Sequence, residues 1–195
     1  MIATLPDFNS RMAEMGAILI HYRSRFVKLL SLYAAAAHSE CSGGKEELSI
    51  QYKTVGTVTD PFADQRQLTV QLLEHQREHH YAEVYSRQCL SGPHKDDLEV
   101  LLDGISARSF ASQGQTRTAA LAMKLAAREI HKEIIGEYPL LLLDDVLSEL
   151  DPRRQEFVLN RLGSGQVFIT CCEEDRLHAL LKGKIFRVRN GVVTG

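Results

Sequence analysis

At 195 residues, 44% of them hydrophobic, the chain is long enough for one good core or for a domain with an appendage. Its 23 basic residues against 25 acidic ones, a formal charge of -2, exclude a protein that coats nucleic acid by bulk positive charge and leave only local patches for that purpose. Cys41, Cys89, Cys171 and Cys172 have no CxxC spacing and read as free thiols of a reducing cytosol, and no apolar run reaches the roughly 18 residues of a membrane span.

The N-terminal "MIATLPDFNSRMAEMGAILIHYR" lacks the basic-then-apolar order of a signal peptide, so the expected location is cytoplasmic. After the candidate caps Asp7, Asn9 and Ser10, helical spacing through Met15, Ile18, Tyr22, Phe26 and Leu29 predicts a long helix ending near "CSGGKE". The segment around 47–55 places Leu48, Ile50 and Tyr52 on one side, the pattern of a half-buried strand. A turn at "TDPFAD" leads to a second helix, Asp64 to Leu90, whose apolar stripe is thin. Such a helix pairs with the first in a projecting arm more readily than it fills a core. Residues 1–91 therefore read as a helical arm domain.

At "SGPHKD" the pattern changes to short apolar runs alternating with helical segments, an α/β domain over 92–195. Strands are predicted at Leu98 to Leu102, Leu140 to Leu143, Val167 to Thr170 and Ile185 to Arg189. The last turns back through Asn190-Gly191, a dipeptide suited to a tight hairpin. Helices are predicted at about Gln115 to Ile135, Pro152 to Leu162 and Glu173 to Leu181.

Two stretches carry chemistry. In "LLLLDDVLSELDP" the leucine run fits a strand buried on both faces, which puts Asp144 and Asp145 at its carboxyl end, where open α/β sheets bind ligands. There Asp144 can reach a hydrated Mg²⁺ and Asp145 the water beyond a terminal phosphate. The run alone leaves a second reading open, in which both end a strand as solvated turn residues. Asp151 at an N-cap and Pro152 at the first helical position anchor the following turn, which holds Ser148 beside the acidic pair.

In "FASQGQTRTAALAMKLAAREI", Ser112 and Gly114 precede a long helix, so a hydroxyl, unhindered N–H groups and a helix N-terminus converge where an anion would be favoured. By itself Ser112 reads better as a cap than as an anion ligand. Ala119, Met123, Ala126 and Ile130 share one face of this helix. Arg117, Lys124, Arg128 and Lys132 lie nearly opposite as a partly solvated stripe, with Leu121 and Leu125 beside them.

"SQGQ" opening a helix, then "LLLLDD" about 25 residues later and "SELD" after it, resembles the signature motif, Walker B strand and D-loop of ABC-type ATPases. With "GPHKDDLEVLLDG", "FASQGQTRT" and "EYPLLLLDDVLSELDPRRQ", the chain resembles the RecF family of bacterial recombination mediators, relatives of the SMC and Rad50 heads. Three ordered motifs are far more specific than one. The resemblance implies the C-terminal lobe of an ABC-type ATPase head with a helical arm, in an ATP-dependent DNA-binding protein of gap repair and replication-fork restart. It implies an ATP-driven homodimer, recognition of gapped or junction DNA, RecR and RecO as partners, a place in the SOS response, and ATP with Mg²⁺ as cofactors. Ser112, Gln113, Gly114 and Gln115 would face the γ-phosphate of ATP on the partner subunit. Asp144 would serve Mg²⁺, Asp145 would activate the attacking water, and Ser148, Glu149, Leu150 and Asp151 would line the dimer interface.

Two departures from the wider ABC pattern, Asp145 in place of Glu and Cys171 where many carry a switch histidine, suit slow hydrolysis used as a timer. The 195 residues contain no GxxxxGK[ST]: "GGKE" and "GKIF" lack its distal glycine and its Ser or Thr. The resemblance places that loop near the family's N-terminus, before the arm. The expectation is a C-terminal half that is inactive alone, its sheet edge and an apolar helix face exposed.

Three other readings compete. Another SMC or Rad50-like ATPase segment would need a longer coiled coil. A non-catalytic scaffold binding DNA or a clamp through the arm would need basic residues there, and His21, Arg23, Arg25 and Lys28 form only a modest cluster. A metallopeptidase would use His75 and His79 of "HQREH", which matches HxxEH on one helical face; no third ligand is evident, so the pair reads as solvated histidines. His94 lies in a RecF-like motif without a role that follows from spacing.

Overall fold

The computed structural model describes residues 5–147, 150–171 and 183–194, and the chain falls into two units, Met1–Ile130 and His131–Gly195. Ser148, Glu149, Cys172 and the helix expected at Glu173 to Leu181 lie outside the described residues.

The first unit is built on α1 (Leu5–Ser42), which begins ahead of Asp7, Asn9 and Ser10, so these stand inside its first turns instead of capping it. Its buried positions include Ala13, Ala17, Ile20, Val27, Leu30, Ala34 and Ala37, recurring at helical intervals. Most are small, and small residues let a second helix come close. A Cβ added at Gly16 would stand 3.0 Å from Leu72 Cδ1 and 3.1 Å from Pro93 Cδ. The helical period at Met15, Tyr22, Phe26 and Leu29 is correct, but these residues, with Leu19, lie on the exposed side of the helix.

α2 (Gln65–Ser86) is capped by Asp64, whose carboxylate accepts from Gln67 N at 2.9 Å, and a left-handed Arg87 ends it. Its thin stripe, Leu68 and Leu72, packs with Ala13, Ala17, Ile20, Val55 and Val58 in an apolar cluster. β1 (Leu48–Lys53) buries Leu48 and Ile50 and pairs antiparallel with β2 (Asp97–Leu102), Leu48 opposite Leu102 and Lys53 opposite Asp97. β2 also pairs with β3 (Ile105–Ser106). The predicted strand at Leu98 to Leu102 thus completes a three-stranded sheet with the strand of the arm segment. A larger cluster joins α1, β1 and β2 to the short helix α3 (Ala107–Phe110) and to Ala119, Ala122, Ala126 and Ile130 of α4 (Gln113–Ile135). Arg117 and Lys124 of the basic stripe are exposed as expected, but Arg128 is only 2% exposed; that part of the stripe is not a solvated face.

The "GPHKDD" segment is tied to this unit by Arg23, which donates to Pro93 O at 2.5 Å and Asp96 Oδ2 at 3.2 Å, while Tyr52 OH donates to the same carboxylate. Burial, reinforced by the Asp96 carboxylate, pushes the Tyr52 phenol well above its ordinary value, and burial also raises Asp96 against the opposing pull of Tyr52 and Arg23. Unfolded tyrosine ionises near pH 10. Above that the unfolded chain holds fewer protons than the folded one, so stability falls as pH rises. Urea unfolding at about pH 9 and pH 11 is expected to show this loss, and Tyr52→Phe to reduce it. An equal loss in the variant would remove Tyr52 as its source.

In the second unit β4 (Leu141–Asp144) runs parallel to β5 (Val167–Thr170), joined through α5 (Pro152–Arg161). Among its described residues, Leu141, Leu143, Leu147, Leu150 and Val158 are the buried apolar ones. Leu140 and Leu142, at 54% and 67% exposure, correct the expectation of burial on both faces: the strand alternates, and Phe168, opposite Leu142, is open on the same side. A parallel strand is covered twice only when elements lie on both faces of its sheet. β6 (Arg187–Arg189) and β7 (Val192–Thr194) form the expected hairpin, with Asn190 and Gly191 at φ 50° and 78°, the left-handed pair that such a turn demands.

Candidate functional site

The aspartate pair stands where two parallel strands end. The register sets Asp144 directly opposite Thr170, and the Thr170 hydroxyl donates to Asp144 Oδ1 at 2.5 Å. The same hydroxyl accepts from the Asp145 N–H at 3.0 Å, while Thr170 O lies 3.2 Å from that N–H. One threonine therefore orients both acidic residues. Asp145 has φ 51°, a left-handed conformation that Asp and Asn adopt far more readily than most side chains. This gives a backbone reason for Asp at this position.

Asp144 is exposed and has one oxygen committed to Thr170. Mg²⁺ is characteristically held by one or two carboxylates, several waters and substrate phosphates, and an exposed carboxylate fixed at a strand end fits that set. The following turn is pinned from inside: Leu150 N donates to Leu147 O at 3.2 Å, and the buried Gln155 carboxamide donates to the same oxygen at 2.7 Å. Asp151 caps α5 by accepting from Arg154 N at 3.0 Å, and its other oxygen lies 3.2 Å from Arg154 Nη1. Leu150 is buried, Asp151 half-exposed.

In the first unit, Ser112 to Gln115 form a reciprocal capping box. Ser112 Oγ accepts from Gln115 N at 3.2 Å, and Gln115 Oε1 accepts from Ser112 N at 2.8 Å. The Gln115 carboxamide turns back onto the protein, and its Nε2 donates to Glu46 Oε1 at 2.8 Å. Two of the unpaired N–H groups at the helix start are thereby satisfied. The N–H groups of Gln113 and Gly114 remain at the helix terminus, the end of a helix that favours an anion.

The histidines of "HQREH" have structural work. His75 is buried, not solvated, and its Nδ1 lies 2.7 Å from Ser91 Oγ; His79 stacks on it with ring centroids 3.9 Å apart. Burial first, and the neighbouring His79 second, depress the His75 imidazole below its ordinary value. Glu83 holds the same loop by accepting from Leu90 N and Ser91 N at 2.7 and 3.0 Å. His94 Nε2 pairs with Cys89 O at 3.0 Å, which makes it a fastener of the "GPHKDD" turn.

Thr170 and Glu46 are the participants that sequence reasoning missed. Thr170 gains its place from a parallel pairing across 26 residues, and Glu46 reaches Gln115 across 69. Neither distance leaves a local pattern.

No family model matches the chain. Among curated proteins it is 39% identical over 197 residues to the DNA replication and repair protein RecF of Clostridium kluyveri, covering 96% of this chain and 52% of that protein. The RecF of Clostridium perfringens strain SM101 is 39% identical over 189 residues, covering 96% of this chain and 51% of its own. A solved structure of the recombination mediator protein RecF-ATP in the RecFOR pathway superposes with a TM-score of 0.84 at 32% identity, covering 98% of this chain and 50% of that one. The corresponding RecF-ATPrS structure gives 0.83. The chain spans about half the length of the curated relatives it matches.

Proposed function

Because this chain belongs to the RecF family over the half of the family's length that it spans, we propose that it supplies the signature turn, Walker B strand and D-loop of an ATP-dependent, DNA-binding recombination mediator. The observation that carries this reading is Thr170 holding Asp144 and Asp145 together at the ends of two parallel strands. Residues 92–195 act as the C-terminal lobe of an ABC-type head and 1–91 as its helical arm.

In this reading Asp144 helps to hold Mg²⁺, which supplies charge stabilisation for phosphoryl transfer when bound. Asp145 orients the attacking water and takes its proton. The Gln113 and Gly114 N–H groups, at a helix terminus kept open by the capping box, meet the γ-phosphate of a nucleotide held by a partner subunit. Leu150 and Asp151 line the approach to that subunit. The phosphate loop comes from residues outside these 195, so ATP binding requires a composite site. Gapped or junction DNA, RecR and RecO are the partners, the setting is gap repair and replication-fork restart in the cytoplasm, and slow hydrolysis times release.

The test joins the chain to the half of a RecF-family protein that it does not span and follows association by sedimentation. Dimers are expected with Mg²⁺ and ATP and not with ADP. A joined protein that binds ATP but stays monomeric at saturation would remove the partner-subunit role of Ser112 to Gln115. Micromolar ATP affinity with turnover in the 195-residue chain alone would remove the composite site.

A further inference from the structure

We propose that Glu46 is a positioning residue of the signature turn, an inference that rests on the reading of Ser112 to Gln115 as the part that meets a phosphate. Its two carboxylate oxygens serve different elements: Oε1 accepts from Gln115 Nε2 at 2.8 Å, and Oε2 accepts from His38 Nε2 at 3.1 Å. His38 is completely buried on α1. A continuous chain of hydrogen bonds therefore runs from α1 through His38, Glu46 and the Gln115 carboxamide to the N–H of Ser112.

The loop that carries Glu46 is itself clamped. Gly44 N donates to Ser39 O at 2.7 Å on the α1 side. On the other side Glu47 N donates to Asp103 Oδ1 at 2.8 Å and Asp103 N returns to Glu47 O at 2.9 Å. The carboxylate is thus presented from a fixed backbone, and charge-assisted bonds of this kind are stronger and more directional than neutral ones.

The carboxamide of Gln115 could otherwise rotate into solvent or toward an arriving phosphate. Glu46 offers no hydrogen to Gln115, so only the amide nitrogen can face it, and Oε1 is left aimed at Ser112 N. That choice closes the capping box and leaves the Gln113 and Gly114 N–H groups, in the first turn of α4, outside it. The same linkage gives a phosphate at those groups a mechanical connection to the arm helix.

The experiment has two arms. In the 195-residue chain without nucleotide, amide hydrogen exchange is followed by NMR. Glu46→Ala is expected to speed exchange at Ser112 and Gln115 by about tenfold, with the amides of Thr118 to Ala126 unchanged. Gln115→Ala should give the same change at Ser112, and the double variant should be no worse than either single one, as members of one chain of bonds behave. Glu46→Gln, which keeps an oxygen for Gln115 but cannot accept from His38 through its amide nitrogen, should recover part of the protection. Unchanged exchange at Ser112, or equal acceleration along all of α4, overturns the proposal.

In the joined protein, Glu46→Ala is expected to raise the ATP concentration needed for dimerisation about tenfold while ATP affinity at the phosphate loop stays the same. An unshifted concentration dependence overturns the coupling to nucleotide. If the unsubstituted joined protein fails to dimerise, the partner-subunit reading falls, and the exchange arm still decides whether Glu46 positions the turn.

Discussion

On the proposed reading, Asp145→Asn in the joined protein is expected to lower ATP hydrolysis by about two to four orders of magnitude, the usual worth of a general base, and to leave ATP-dependent association in place. The substitution removes the group proposed to accept the proton and keeps the backbone geometry that places it. Asn adopts the left-handed backbone that φ 51° requires, and the bond from this residue's N–H to Thr170 does not involve its side chain. Phosphate release at saturating Mg²⁺ and ATP, with sedimentation in parallel, separates the two effects. Hydrolysis within a few-fold of the unsubstituted protein would take the base role away from Asp145. Thr170→Val is the companion: it deletes the hydroxyl that donates to Asp144 and accepts from Asp145 N, so both residues lose their common reference.

The acidic pair was legible because its signals are local. A leucine run, two aspartates, an N-cap aspartate and a proline at the first helical position occupy 13 consecutive residues, Leu140 to Pro152, and the structure keeps Asp151 as the cap. Val167 to Thr170 and the Asn190-Gly191 hairpin were legible for the same reason. What escaped was set by partners remote in sequence. Gln115 looks like a phosphate-facing residue until Glu46 turns its carboxamide inward. Arg128 looks like part of a solvated basic stripe, because helical periodicity groups residues by face and says nothing of which faces become covered. His75 looks solvated among glutamines and arginines, and only the fold brings Ser91 against it.

The exposed side of α1 gives that distinction a measurable form. Ile20→Ala is expected to cost about 2–5 kcal/mol, since Ile20 is fully buried in the cluster with Leu68 and Leu72 and its truncation leaves a cavity there. Tyr22→Ala, two residues on and 66% exposed, is expected to change stability by no more than about 0.5 kcal/mol although it removes the larger side chain. Urea unfolding of the dilute chain, followed by helical circular dichroism, compares them directly. Tyr22 does not stand alone: Met15, Leu19, Phe26 and Leu29 share its exposed stripe, and a continuous apolar stripe is a surface that associates. The Tyr22 cost should therefore stay small at every concentration only if the stripe stays open. Losses at Tyr22 approaching those at Ile20, and growing with protein concentration, would mean that another apolar surface covers α1 in solution.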